Sequence, residues 1–399
     1  MEVEKRPRIP RGLKHDGLAL WSYGFRPFFL GGAIWATLAM VLWLASLMNG
    51  TPLGGGYGAL LWHAHEMVFG FAPAILTGFL LTLLPNWSGH LPVSGAGLMG
   101  MVALWAAGRL AMLGADWLGA PLAAAIDALF LPVLLLVAAR EIVTGKKWND
   151  FRLLGAIAAI MIGNGGFHLA TLFGGDPLIW ARAGAAGYVA LVMVMGGRLI
   201  PSFTRNWLKR NGRSRMPVAL NRYDRIVVGF SVLTLALWLL IPDTLPTLIA
   251  GLIAAGLNLV RLVRWRGWEA RHDGLILNMH LAFCFVPLGF LAIAATAGGF
   301  LPRAATLHVL TVGVIGGMML SVMIRTTRSH TGQTLTASRM TTASCLSVFL
   351  AGLMRPLADL LGQSWLMEIS GMLWILGFGL FVFEYGPVLV SRRRRQRGD

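Results

Sequence analysis

The sequence contains few charged residues and almost no cysteine. Asp, Glu, Lys and Arg make up 13% of its 399 residues, and 56% of the residues are hydrophobic. Soluble domains carry about 25% charged residues, so the composition excludes an ordinary soluble protein. The two cysteines lie in different apolar segments and are too few for a disulfide framework. The sequence also lacks a C-x-x-C-H motif, so any haem would be bound non-covalently.

Long apolar runs take up most of the chain. Each run is close to the roughly 20 residues that a helix needs to cross the hydrocarbon core of a bilayer. The sequence therefore predicts an all-α polytopic membrane protein with twelve transmembrane helices. The predicted spans are 27–49, 57–85, 92–114, 120–142, 152–174, 178–203, 223–241, 246–265, 274–298, 303–326, 339–360 and 366–389.

The basic residues are distributed unevenly. If the N-terminus is cytoplasmic, almost every Lys and Arg lies in a tail or beside a cytoplasmic loop, as the positive-inside rule requires. We therefore expect a basic cytoplasmic tail at 1–26, a twelve-helix domain at 27–390 and an Arg-rich cytoplasmic tail at 391–399. This basic charge is expected to anchor the topology beside anionic lipid, and not to bind nucleic acid. The exceptions are Arg109, Arg182, Arg303 and Arg355.

The second predicted span contains the run Trp62-His-Ala-His-Glu-Met67 among apolar residues. A charged group at mid-bilayer costs about 2.5–3.5 kcal/mol on insertion scales, so another interaction must offset the burial of such groups. A metal ion or haem is the best candidate, because neutral imidazole is a common ligand of iron, copper and zinc. For any single histidine, a hydrogen-bonded core residue is the alternative interpretation.

Four histidines are expected at the same depth below the outer surface. His63 and His65 follow the start of one span, His168 precedes the end of another, and His308 follows the start of a third. The sequence therefore predicts a layer of metal ligands from three helices, consisting of His63, His65, His168 and His308.

Helical geometry separates the two histidines of the second span. Positions two residues apart differ by about 200° around a helix, so His63 and His65 are predicted to serve two different centres. The run resembles the His-x-His helix of haem-copper oxidases. Glu66 and Met67 are expected on the face of His63. Glu66 would be a proton carrier or a partner of a ligand, and Met67 a copper ligand or a packing residue.

A second polar layer is expected near the cytoplasmic surface. Its members could hold haem propionates, bind a quinone head or simply anchor helices. The candidate residues are His90, Arg198, His280, Arg325 and His330.

A weak internal repeat is also visible. His65, Arg182 and His308 each stand five residues before a glycine, in the second, sixth and tenth spans. This spacing predicts three groups of four helices, as in the haem-copper oxidases. The alternative is a coincidence in a chain with 50 glycines.

Five stretches resemble the NnrS family of bacterial membrane proteins. The resemblance implies a twelve-helix inner-membrane protein that contains non-covalent, b-type haem and copper and belongs to the response to nitric oxide and nitrosative stress, often beside denitrification. It does not imply which histidine binds which metal. The stretches are 24–30, 62–70, 78–89, 196–206 and 325–332.

The expected function is therefore to bind nitric oxide (NO) or to handle it reductively at the outer histidine layer. An enzyme of this kind would be an oxidoreductase, with a quinol or another electron donor as partner. The first alternative is a transporter or channel for a metal, a metal–nitrosyl complex or a small solute, with a broken helix at 163–166. The second alternative is a non-catalytic sensor or assembly partner.

Overall fold

A computed structural model describes residues 18–85, 89 and 91–392. Within these residues twelve helices are long and apolar enough to cross a membrane, and no strand is present. This confirms the predicted all-α, twelve-helix class. Most of both predicted tails lies outside the described residues. The helices are α1 Phe25–Asn49, α2 Gly55–Leu83, α3 Gly95–Leu113, α4 Ala120–Thr144, α5 Phe151–Phe173, α6 Pro177–Arg210, α7 Arg222–Leu240, α8 Leu245–Arg264, α9 Gly274–Ala297, α10 Arg303–Thr331, α11 Arg339–Leu361 and α12 Ser364–Val390.

Four helices form the centre of the bundle. Between 61% and 83% of the apolar segments of α2, α6, α9 and α10 is buried, against 50% or less for the other helices. The outer helices expose many Leu, Ile and Val side chains, as expected where a helix faces lipid. Helix α1 packs against both α2 and α12, so the first and last helices are neighbours.

The two ends of the bundle differ in charge. We call the end where the even-numbered helices begin the charge-poor end, and the opposite end the basic end. The loop 211–221 between α6 and α7 lies at the basic end, as do the helix ends that carry Arg210 and Arg264. The assignment of the basic end to the cytoplasm stays a prediction.

Two central helices widen into π-helical turns. These turns are Glu66–Phe71 in α2 and Val309–Gly316 in α10, and they begin directly after His65 and His308. Such insertions are rare and often occur at functional sites, because they change the direction of neighbouring side chains. By contrast, α5 is continuous, so the helix break expected at 163–166 under the transporter alternative is wrong.

The glycines of α5 and α6 allow a close helix contact instead of a break. A Cβ atom on Gly163 would lie 3.1 Å from the backbone nitrogen of Gly184, and a Cβ on Gly184 would lie 2.6 Å from the Phe69 ring of α2. Small residues commonly permit such approaches between membrane helices. Because Gly184 has no side chain, α6 can pack closely between α5 and α2.

We expect Gly184→Val to lower the stability of the protein by about 1–3 kcal/mol or more, because the new side chain has no space between α2 and α5. The measurement is thermal unfolding of the purified protein in detergent. Gly379→Val is the matched control, since a Cβ there meets no atom within 4 Å. Equal unfolding temperatures for the two variants would contradict the described packing.

Candidate metal centres

The first candidate centre is a buried group of two histidines and a carboxylate. His65 of α2, Asp127 of α4 and His168 of α5 each offer one ligand atom, and these atoms lie within 4.8 Å of one another. All three side chains are almost completely buried. Two imidazoles with one carboxylate are a common ligand set for transition metals.

Charged and polar neighbours fix this group in place. Arg109 of α3 lies between two carboxylates and donates to Glu66 Oε2 at 2.5 Å and to Asp127 Oδ1. Trp35 of α1 also donates to Glu66 Oε2, at 2.8 Å. Tyr57, at the start of α2, lies 2.8 Å from His168 Nδ1 through its hydroxyl oxygen. Five helices therefore meet at one buried network, which we call the His65–His168 site.

Both ring nitrogens of His65 face oxygen acceptors. Nδ1 lies 2.9 Å from Glu66 Oε1, and Nε2 lies 3.0 Å from Asn164 Oδ1 and 3.2 Å from Asp127 Oδ2. The Asn164 amide nitrogen donates to Asp127, so its oxygen points towards His65. A neutral imidazole has only one N–H. If His65 donates from Nδ1 to Glu66, the lone pair of Nε2 faces the oxygens of Asn164 and Asp127. A cation between these atoms, or a second proton on the ring, would remove this repulsion.

The charges of the His65–His168 site also favour a bound cation. Glu66 and Asp127 carry two negative charges, and Arg109 supplies one positive charge. Uncompensated charge is expensive in a buried site. Both the donor set and the charge balance therefore fit a metal ion.

The second candidate centre is a cavity of about 300 Å³ near the charge-poor end, on the other face of α2. His63 of α2 and His308 of α10 both line it. Most of the remaining lining is apolar, including Leu44, Met67 and Trp374. This volume reaches the lower limit of pockets that hold small molecules, roughly 300–1,000 Å³. We call it the histidine cavity.

The histidines of this cavity have unused ring nitrogens. His308 Nδ1 donates to the Ala304 carbonyl oxygen at 2.7 Å, which leaves a lone pair on Nε2. A hydrogen bond of this kind commonly orients a metal-ligating histidine. The His63 ring stacks on Trp43 at 4.7 Å between centroids, and its buried Nδ1 has no hydrogen-bond partner among the described residues.

Three arginines surround the histidine cavity. Arg182 of α6 is 93% buried, and its NH1 has no partner in the part of the chain that the structure describes. Arg303 pairs with Asp243, and Arg355 pairs with Asp359 at 2.6 Å. Arg303 and Arg355 are thus balanced by carboxylates, and Asp176 also lines the cavity. The cavity therefore combines an apolar interior with the unpaired guanidinium donor of Arg182, which suits a flat apolar ligand that carries an acidic group.

The structure divides the predicted histidine layer into two pairs. His65 and His168 come together with ring centroids 4.8 Å apart, while His63 and His308 line the histidine cavity. Met67 also lines that cavity, on the expected face. The placement expected for Glu66 is wrong, because its carboxylate contacts His65 and not His63. The helix widens at Glu66, and Arg109 attracts its carboxylate to the other side.

The predicted inner layer is only partly a single group. Arg325 and His330 line a second cavity of about 470 Å³ at the basic end. His280 instead lies 3.0 Å from Thr204 Oγ1 through Nε2, and Arg198 forms an ion pair with Asp150. Neither of these two residues lines that cavity. His90 lies outside the residues that the structure describes.

No role was predicted from the sequence for several residues of the two centres, although the charged ones among them carried a signal. All four basic residues that departed from the charge pattern lie at the two centres. Charged residues inside membrane spans are rare and usually functional, so this departure could have identified them. Asp127 could have been found by the same argument. The overlooked residues are Trp35, Tyr57, Arg109, Asp127, Asn164, Arg182, Arg303 and Arg355.

Three of the four central helices, α2, α6 and α10, line a series of cavities. The histidine cavity, a small cavity of about 70 Å³ and the basic-end cavity follow one another along these helices. On α10 the lining passes from His308 and Ile315 through Met318 to Val322 and Arg325. The helices that carry the spacing repeat thus share one central axis, although the grouping into three sets of four stays a prediction.

The fold and these sites define a polytopic, all-helical membrane protein with a buried group that could hold a metal. The family model described as NnrS protein matches residues 19–393, and the chain belongs to the NnrS family. Membership supports a membrane protein related to the nitric oxide response, in a family known for metal binding. No curated protein matches the chain.

We expect Asp127→Ala to destabilise the protein by about 3–5 kcal/mol, because it leaves the buried Arg109 charge with one partner fewer. Chemical or thermal unfolding in detergent measures this effect. Asp116→Ala is the matched control, since Asp116 is exposed. If both variants unfolded alike, the Arg109 ion pairs would not stabilise the bundle as described.

Proposed function

We propose that the protein is a haem- and copper-containing membrane protein that binds nitric oxide or reduces it. One observation carries the proposal: two histidines with unused ring nitrogens face a single apolar cavity bordered by three arginines. We also propose that this cavity lies towards the outer surface of the bacterial inner membrane, with both termini in the cytoplasm.

The histidine cavity fits a non-covalent b-type haem. His63 and His308 would hold the iron, because imidazole is a usual ligand of haem iron. The apolar lining would cover the macrocycle, and Arg182 would bind a propionate, since guanidinium groups pair well with carboxylates. The unpartnered NH1 of Arg182 is the clearest support for such an acidic group.

The His65–His168 site fits a second metal, for which we propose copper. His65, His168 and Asp127 would hold it, because imidazole suits copper and the carboxylate balances charge. Glu66 would orient His65 through Nδ1, as carboxylates often do for metal-ligating histidines. Glu66 is thus a partner of a ligand, the second of the two roles considered for it.

When bound, haem iron and copper would supply one-electron redox chemistry and affinity for small diatomic molecules. The chain's own residues provide an environment that suits NO, which is apolar and enters lipid. The two centres lie on opposite faces of α2, so a single helix connects their ligands. The apolar residues of the histidine cavity exclude water, and Arg109 fixes the carboxylates of the other site.

A transporter is the alternative, and the series of cavities along α2, α6 and α10 favours it. The small middle cavity is lined only by apolar residues and glycine, among them Met195, Met318 and Met319. A charged solute would have to cross this region without polar contacts, which is costly. Uptake of a labelled metal ion into haem-free proteoliposomes would support transport, and its absence beside haem-dependent NO binding would exclude it.

Replacing either cavity histidine should remove haem. We expect purified His63→Ala and His308→Ala to lose the Soret band and most of the bound haem, because each loses a proposed iron ligand. His280→Ala is the control and should keep the haem, since His280 does not line the cavity. Unchanged spectra in both cavity variants, or a wild-type protein without a Soret band, would overturn the assignment.

Changes in the other site should affect copper and leave haem in place. We expect His65→Ala and His168→Ala to lose copper in elemental analysis. Glu66→Gln should weaken copper binding by about 10–100-fold, the usual effect of losing a partner of a ligand. His272→Ala, in an exposed loop, is the control. Copper retained in both histidine variants would contradict this role.

A further inference from the structure

The basic-end cavity is the larger of the two main cavities, at about 470 Å³. It lies between α2, α6 and α10, beside the start of α9. One part of its lining is polar and the rest is apolar or aromatic. The polar and charged members are Thr82, Asn206, Arg210, Asp273, Arg325, Thr326, Ser329 and His330.

The polar part offers both donors and an acceptor. The Arg325 guanidinium lies over the Phe203 ring at 4.0 Å, and its buried NH1 has no hydrogen-bond partner among the described residues. Asp273 Oδ1 accepts hydrogen bonds from two backbone N–H groups at the start of α9. Its other oxygen, Oδ2, could accept a hydrogen bond from a ligand. A flat ring with two oxygens could therefore accept a hydrogen bond from Arg325 and donate one to Asp273.

The apolar part continues towards the middle of the bundle. Phe79, Leu199, Met279 and Val322 line both the basic-end cavity and the small middle cavity. The middle cavity has only apolar residues and one glycine around it. A ligand that matches both cavities has a polar ring and an apolar substituent.

The facing edges of the basic-end cavity and the histidine cavity are close along the central helices. On α10 the deepest lining residues are Ile315 and Val322, and on α2 they are Phe71 and Phe79. At 1.5 Å per residue these pairs are about 10 Å and about 12 Å apart. Electrons can pass over such a distance between the edges of two groups that fill the cavities. Protons cannot follow them through an apolar region without carriers.

We propose that the basic-end cavity binds a membrane quinol as electron donor for the metal centres. This inference rests on the proposed function for its electron acceptors. Oxidation of one quinol to the quinone breaks two O–H bonds and releases two protons and two electrons. The haem iron and the copper of the proposed function would take up one electron each. The protons leave through the basic end, where Asp273 accepts the first of them.

The first experiment measures binding alone, in nanodiscs of phosphatidylcholine, with decylubiquinone as the probe. We expect saturable binding to the wild-type protein. Ser329→Trp, which fills the cavity from its exposed rim, should weaken binding at least about 10-fold. Ser202→Trp is the matched control, because Ser202 is exposed at the same end but does not line the cavity.

Two results of the binding experiment would overturn the inference. One is a wild-type protein without saturable quinone binding, and the other is equal affinity in both tryptophan variants. Adding phosphatidylglycerol tests the alternative occupant, an anionic lipid headgroup at Arg210 and Arg325. If that lipid binds and decylubiquinone does not, the cavity is a lipid site.

The second experiment separates this inference from the proposed function. We expect dithionite to reduce the haem of the wild type and both variants equally. Decylubiquinol should reduce wild type and Ser202→Trp at the same rate, and Ser329→Trp at least about 10-fold more slowly. Reduction of the wild type by dithionite but not by decylubiquinol overturns the quinol site alone. Absence of haem from every sample overturns the proposed function, and the binding result then decides the quinone site independently.

Discussion

The contact of Arg109 with Glu66 and Asp127 determines how the first five helices fit together. In a membrane, apolar side chains gain little by leaving lipid for a protein interior, so they do not specify one arrangement strongly. A buried guanidinium is different, because its charge is costly unless acceptors surround it, and Arg109 meets two carboxylates. Arg109 of α3 thus fixes α2 and α4 beside it. Asp127 extends the network to α5 through Asn164 and His168.

The same network defines the functional faces of α2. Arg109 and Trp35 fix the Glu66 carboxylate, and the hydrogen bond between Glu66 and His65 Nδ1 then orients the His65 ring towards α5. His63 is then directed to the opposite face, where it stacks on Trp43 and borders the cavity shared with α10. The π-helical turn that starts at Glu66 makes room for both orientations. A structural ion pair and two candidate metal centres therefore depend on one turn of one helix.

Much of this arrangement could be predicted from the sequence. Hydropathy specified twelve helices, because each must satisfy its backbone within the bilayer. Helical phase separated His63 from His65, and matched depth grouped them with His168 and His308. The pairing of these histidines could not be predicted, because it depends on which helices are neighbours. Glu66 was misplaced because a regular α-helix was assumed where the backbone widens. Asp127 and the four arginines gave a usable signal, since their charges interrupt apolar spans.

The central axis explains how one bundle could join two ends with different chemistry. Helices α2, α6 and α10 carry histidine or arginine near the charge-poor end and apolar residues in the middle. Near the basic end α6 and α10 carry arginine, whereas α2 contributes Thr82. The apolar middle section prevents water and ions from connecting the two cavities. Electrons are not stopped by such a layer, because they need proximity and not polar contacts. If electrons enter at the basic-end cavity and a metal is bound in the histidine cavity, each cavity would exchange protons only with its own side of the membrane. Each of the glycines that follow His65, Arg182 and His308 by five residues is closely packed, because a Cβ atom on Gly70, Gly187 or Gly313 would lie less than 3 Å from a neighbouring atom. A shared packing role explains the common spacing, while the correspondence of the three helices stays a prediction.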